Sequence, residues 1–143
     1  SWQQLAGLLL KHDVRAHKDG RLWSPTEYAP NTTRGKQHVL QVSCFVLDFD
    51  CGLPPDQFTP GWSRWEYLLH STHSHTPDKP KWRAVFPLHH AIPGPEWHNR
   101  YDRCRAVLDP DGHSDPACSD ASRIYYLPAH PRGVKPHSLH HLP

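Results

Sequence analysis

The sequence lacks methionine, CxxC pairs, a strong charge of either sign, and any apolar run longer than four residues, such as Cys44–Leu47. A membrane-spanning helix needs about 20 apolar residues, so none is expected. The net charge of only +2 gives no overall basic field of the kind that marks many nucleic-acid-binding proteins. The four cysteines have no zinc-ribbon spacing and no secretory signal precedes them, which predicts reduced thiols and a cytoplasmic location.

Proline, histidine and aromatic rings are abundant instead, with 16 Pro, 14 His, six Trp, five Tyr and four Phe in 143 residues. The length suits one domain, and the large rings supply its core. The prolines predict short elements and long, stiff loops. We expect a single domain with an N-terminal helix and loop (1–37), a core (38–128) and a tail (129–143).

The pattern of apolar residues predicts an α+β fold. Helical spacing near the start and after a proline contrasts with β-branched and aromatic runs elsewhere. We predict helices over 1–12 and 93–108, a loop over 18–36, and strands over 39–50, 65–75, 81–88 and 123–127. A short connector, either helical or irregular, follows the first strand. The order β(α)ββαβ is that of an RRM/ferredoxin-like sheet, here behind an N-terminal helix and with long Pro-rich loops.

Two acids close the first predicted strand, in the motif Asp48-Phe49-Asp50. Because side chains alternate along a strand, Asp48 and Asp50 share one face, about 7 Å apart along the backbone. Their mutual repulsion predicts that replacing either one leaves the fold intact. Carboxylate oxygens at this spacing suit Mg²⁺ or Mn²⁺, although a pair of solvated acids has the same pattern.

A hairpin rich in histidine and cations follows about 20 residues later. A turn centred on Asp78 places His75 opposite Lys81 and His73 opposite Arg83. Such a patch suits phosphate. A His-x-His metal site and adventitious zinc binding are the alternatives.

A third acidic segment, Asp115 to Arg123, precedes the last predicted strand. Asp115 lies eight residues before Arg123, and Asp120 is the alternative acid in the same segment.

Together these segments resemble the archaeo-eukaryotic primase (primase-polymerase) superfamily. In particular, "STHSHTPDKPKWRAVFPL" and "SDPACSDASRIYYLPAHP" resemble the primase domain of phage and plasmid replication proteins. The resemblance implies a DNA primase/polymerase that adds nucleotides by two-metal, template-directed nucleotidyl transfer. The implied metal ligands and catalytic acids are Asp48, Asp50 and Asp115, with Mg²⁺ or Mn²⁺ as the ions.

The resemblance also implies a nucleotide site and partners. By position, His73 in Ser71-x-His73 matches the histidine that contacts the phosphates, His75 is nearly as good a match, and Arg83 fits the family's basic residue. Lys81 and Arg123 are the further candidates for binding the nucleotide. The implied partners are dNTP or NTP, a single-stranded or primed DNA template, and a helicase domain or protein downstream, in a bacterial, archaeal or phage- or plasmid-encoded system.

Two other functions fit parts of the sequence. A rolling-circle nicking endonuclease would use His73 and His75 as metal ligands and Tyr101 or Tyr125 as nucleophile, but leaves Asp48 and Asp50 unexplained. A non-catalytic RRM-like module that binds single strands would need aromatic rings where this chain has acids and histidines.

Overall fold

Two α-helices and nine strands form the regular structure of the computed structural model, which describes residues 1–143. In chain order they are α1 (Trp2–Leu9), β1 (Asp13–Val14), β2 (Leu22–Trp23), β3 (Thr26–Tyr28), β4 (Val39–Phe49), β5 (Tyr67–Ser71), β6 (Trp82–Pro93), α2 (Trp97–Leu108), β7 (Tyr125–Tyr126), β8 (Ala129–His130) and β9 (Ser138–His141). The predicted α+β class is confirmed. Neither helix has the length and apolar character needed to cross a membrane.

The main sheet has five strands in the order β3-β4-β6-β5-β9, and every neighbouring pair is antiparallel. Since β6 lies between β4 and β5, those two strands run parallel to each other. The connection between them contains only the 3₁₀ turn Pro55–Gln57, as the three prolines of this segment predict. The hairpin of β5 and β6 therefore lies beside the strand that ends in the two acids.

The edges of the sheet differ from the prediction. The expected strand over 123–127 is only Tyr125–Tyr126, and it pairs with β2 in a separate two-stranded sheet. Segments predicted as loop and tail supply the edge strands β3 and β9. These strands have three and four residues, too short for a periodic pattern to show. The complete RRM-like arrangement is not confirmed.

Aromatic rings fill the core between β4, β6 and α2. The rings of Phe45 and Tyr101 lie 4.6 Å apart, and Phe49 stacks on Phe58 at 4.0 Å. Trp62 is buried and donates from Nε1 to the Leu108 carbonyl at 2.8 Å. Each aromatic pair adds about 0.5–1.5 kcal/mol of stability beyond that of its buried area. A small number of rings can therefore stabilise a chain that has few other apolar residues.

Candidate functional site

The two acids that close β4 line one cavity of about 160 Å³. Strand alternation directs Phe49 into the core, where it is fully buried, and leaves Asp48 and Asp50 on the opposite side. The prediction that they share a face is confirmed. Asp48 is nevertheless buried, whereas the Asp50 side chain is 57% exposed.

Asp48 forms a buried ion pair with Arg83, its register partner on β6. Arg83 donates from Nε to Oδ1 at 2.5 Å and from Nη2 to Oδ2 at 3.1 Å, so both carboxylate oxygens are bound. The third guanidinium nitrogen donates to the Tyr126 carbonyl, and the group lies 4.6 Å from the centre of the Tyr125 ring. Burial alone would raise the pKa of Asp48, but the charge and hydrogen bonds of Arg83 lower it below the usual value.

Arg123 joins the third acid to this pair. Its Nη2 donates to Asp115 Oδ2 at 3.0 Å and lies 3.8 Å from Asp48 Oδ2. The Asp115 backbone N–H donates to the Asp48 carbonyl at 2.8 Å, which holds the loop against the end of β4. The Asp115 side chain also caps the 3₁₀ turn Pro116–Ser119 by accepting from Ala117 N. Asp115 therefore reaches the cluster through Arg123.

Asp120, the alternative third acid, has other partners. Its carboxylate accepts from the backbone and hydroxyl of Ser122 at 2.9 and 2.8 Å, and Lys36 Nζ lies 3.8 Å away. Of the two acids, Asp115 is the one that lies beside Asp48.

The loop that carries Asp115 is held by a buried carboxylate. Asp109 accepts from the backbone N–H groups of His113 and Ser114, each at 2.9 Å, and from the Ser114 hydroxyl. Arg105 Nε lies 3.5 Å from the same carboxylate. This loop is therefore built around Asp109 rather than around its exposed neighbour Asp111.

Asp109→Ala should lower the free energy of unfolding by about 1–3 kcal/mol, because it leaves buried donors without an acceptor. Urea denaturation checks this, with Asp111→Ala as the matched control, since the Asp111 side chain is 75% exposed. Equal effects of the two substitutions would contradict this account of the loop.

The pairing of the histidine hairpin differs from the prediction. Arg83 lies opposite His70, not His73, because β5 ends at Ser71. The predicted register is therefore wrong by three residues. The predicted strands 65–75 and 81–88 leave only residues 76–80 for the turn, but the irregular segment extends from residue 72 to 81 and is closed by a hydrogen bond from Thr72 N to the Lys81 carbonyl.

The hairpin side chains that were expected to bind phosphate make structural contacts. His73 Nε2 lies 3.1 Å from the carbonyl of Arg15, and His75 accepts from the Lys81 backbone at 3.1 Å. The Ser71 hydroxyl accepts from His137 N at 3.0 Å. None of these three side chains lines the cavity.

The structure thus brings together six of the predicted site residues. Lys81 joins the group because its Nζ lies 3.4 Å from Asp50 Oδ1. The six are Asp48, Asp50, Lys81, Arg83, Asp115 and Arg123. Sequence reasoning missed four residues that line the cavity: Lys18, Thr72, Ile124 and Tyr126. Lys18 arrives from a loop far away in sequence, and no local pattern indicates its position.

His70 lies behind the Asp48–Arg83 pair and is completely buried. Its Nδ1 donates to the Ser71 carbonyl at 3.0 Å, and its Nε2 has no partner. Burial, and then the positive charge of Arg83, lower the pKa of His70 to about 3. The ring is therefore neutral at physiological pH.

The neutral state of His70 makes stability depend on pH. Because an unfolded histidine has a pKa near 6.5, unfolding takes up a proton below that value. The contribution of neutral His70 to the free energy of unfolding is complete above about pH 6.5 and is lost as pH falls toward 3. The urea midpoint should fall between pH 7 and 5, and it should fall less in His70→Asn, which keeps an amide donor and cannot titrate. Parallel pH profiles for the two proteins would contradict this assignment.

The carboxylates of the predicted metal centre are paired with cations. No group of three or more His, Cys, Asp or Glu side chains is placed to hold a metal ion. Arg83 binds both oxygens of Asp48, and cations also pair with the other two acids, Asp50 and Asp115. These residues do not fit a preformed two-metal site.

The cluster instead carries a surplus of positive charge. Two carboxylates and three cations line the cavity itself, and one further residue of each sign, Asp115 and Lys81, pairs with this lining from outside it. The cavity therefore attracts anions while keeping carboxylates within it. Comparisons with protein-family models, curated proteins and solved structures find no match to the chain.

Proposed function

We propose that the chain is a nucleotidyltransferase domain of the primase-polymerase type, which adds nucleotides to a primed DNA strand in phage or plasmid-type replication. The observation that carries the proposal is the cavity at the end of β4, where Asp48 and Asp50 lie together with Arg83 and Arg123. The strand order β4-β6-β5 supports it, because a ferredoxin-like sheet places its first, third and second strands in this order.

The charges of the cavity suit the triphosphate part of a nucleotide. Phosphoryl transfer depends mainly on positioning and on neutralising charge, and arginine donors provide both. Arg123 is about a third exposed and can reach an incoming phosphate, whereas buried Arg83 supports Asp48. A volume of about 160 Å³ is small for a whole ligand, so the sugar and base would lie outside the cavity.

A divalent cation, Mg²⁺ or Mn²⁺, belongs to this chemistry in the superfamily that the sequence resembles. When bound, such an ion neutralises phosphate charge. The described arrangement offers no preformed site, because Arg83 and Arg123 hold the oxygens of Asp48 and Asp115. The roles assigned to this chain's residues are therefore to bind the phosphates and to orient the carboxylates.

The two alternative functions gain no specific support. As metal ligands His73 and His75 would need free ring nitrogens, but His73 contacts the Arg15 carbonyl and His75 accepts from the Lys81 backbone. As nucleophiles Tyr101 and Tyr125 would need to ionise, but burial raises the pKa of both phenols. An RRM-like binding surface would need exposed rings, but Trp82 and Tyr125 are buried.

Extension of a labelled primer on a DNA template tests the proposal. Purified protein is incubated with dNTP or NTP and Mg²⁺ or Mn²⁺, and parallel samples contain EDTA. We expect extension that EDTA abolishes. Absence of extension with both ions and both nucleotide types would overturn the proposal, and cleavage that links protein to DNA through tyrosine would favour the endonuclease.

A further inference from the structure

The segment Arg15–Arg21, called the N-terminal arm here, carries Lys18 to the cavity. It is fastened at both ends by backbone hydrogen bonds: Arg15 N donates to the His130 carbonyl at 3.0 Å, and Leu127 N donates to the Arg21 carbonyl at 2.8 Å. Residues 16–19 between these points are exposed. The arm is thus a fixed loop with a solvent-facing tip.

Lys18, at that tip, lines both the cavity of the acids and the smaller cavity next to it. The other three cations of the cluster each form an ion pair with a carboxylate. Lys18 has no carboxylate partner within 4 Å, and its Nζ lies 5.7 Å from the centre of the Tyr126 ring. Lys18 is exposed, so an anion bound in the cavity would give this ammonium group its first charged partner.

His73 holds the arm in this position. A carbonyl oxygen can only accept, so His73 Nε2 donates its proton to Arg15 O across 3.1 Å. Arg15 in turn bonds Asp19 within the arm at 3.1 Å. The Nε2 proton of His73 is therefore committed to the arm and does not face the cavity.

We propose that Lys18 binds the terminal phosphates of the nucleoside triphosphate and that His73 is a positioning residue, which acts by holding the arm that carries Lys18. This inference rests on the proposed function. It transfers to Lys18 the phosphate contact that the resemblance implies for His73. A nucleoside monophosphate lacks these terminal phosphates, so its affinity should not depend on Lys18.

Equilibrium binding of a non-hydrolysable nucleoside triphosphate to the full chain tests the role of Lys18. Lys18→Gln should weaken binding about tenfold to a hundredfold, as loss of a charge-assisted contact does. Binding of the nucleoside monophosphate should not change. Lys11→Gln removes an exposed lysine elsewhere and should leave triphosphate affinity unchanged. Equal affinities of Lys18→Gln and the wild type would overturn the assignment.

The role of His73 is tested by coupling. His73→Ala should weaken triphosphate binding, whereas His73→Gln, whose amide can donate to Arg15 O, should restore much of it. The double variant His73→Ala/Lys18→Gln should bind no more weakly than Lys18→Gln alone. Additive losses would mean that His73 contacts the phosphates itself and would overturn its positioning role.

The same measurements separate this inference from the proposed function. If the wild type binds triphosphate through Lys18 but extends no primer, the proposed nucleotidyl transfer is wrong, whereas the assignment of the triphosphate site is confirmed. If primers are extended and Lys18→Gln binds normally, only the inference about Lys18 fails. No triphosphate binding by the wild type would overturn both.

Discussion

Arg83→Met is expected to lower the free energy of unfolding by about 3–5 kcal/mol, because it leaves the Asp48 carboxylate buried without a counter-charge. Both side chains of the pair are less than a tenth exposed, so water cannot replace the lost partner. Asp48→Ala should also destabilise the protein, since it leaves the guanidinium unpaired. The expectation that replacing Asp48 leaves the fold intact considered only its repulsion from Asp50.

The double variant Asp48→Leu/Arg83→Met separates the cost of an unpaired charge from general damage to packing. Replacing both partners of a buried pair with apolar residues is often neutral, so much of the lost stability should return. Arg100→Met, which removes an exposed pair with Glu96, should change stability by no more than about 1 kcal/mol. Urea denaturation measures the free energy of unfolding of the four variants and of the wild type. A double variant as unstable as Arg83→Met would contradict the account of the pair.

Asp50→Asn is expected to reduce nucleotide incorporation at least about 100-fold, a loss typical of removing one charged or polar group from a preorganised site. Asp50 is the one carboxylate of the cavity that is more than half exposed, so it is the acid most accessible to an incoming nucleotide. Its only ion pair is with Lys81. Primer extension under the conditions that support the wild type measures the loss.

The urea midpoint distinguishes a loss of catalysis in Asp50→Asn from misfolding. Because the Asp50 side chain is more than half exposed, water can replace Lys81 beside it, and Asp50→Asn should keep its urea midpoint nearly unchanged. Asp56→Asn, which removes an exposed acid outside the cavity, should extend primers as the wild type does. Near-normal primer extension by Asp50→Asn would show that Asp50 has no role in nucleotide incorporation.

The long elements could be predicted from local patterns. The apolar strand Val39–Phe49 and the helix Trp97–Leu108 have enough residues for their periodicity to show, and alternation alone places Asp48 and Asp50 on one face. Asp115 came from the spacing to Arg123 that the resemblance used, and the structure joins those two residues by an ion pair.

Features that depend on distant pairing could not be predicted in this way. The register of the hairpin depends on where β5 ends. The polar residues 72–75 fit a strand pattern as well, and only the hydrogen bond from Thr72 N to the Lys81 carbonyl shows that they lie outside the strand. Lys18 reaches the cavity because β1 and β2 pair with β8 and β7, more than 100 residues later in the chain. Strands of two residues have no readable period.

A crystal structure of the protein with a non-hydrolysable nucleoside triphosphate and Mn²⁺ would show where the nucleotide binds. We expect the triphosphate in the cavity lined by Asp48, Asp50 and Arg123, with Lys18 at its terminal phosphates. A nucleotide bound elsewhere on the protein, with this cavity empty, would contradict that placement.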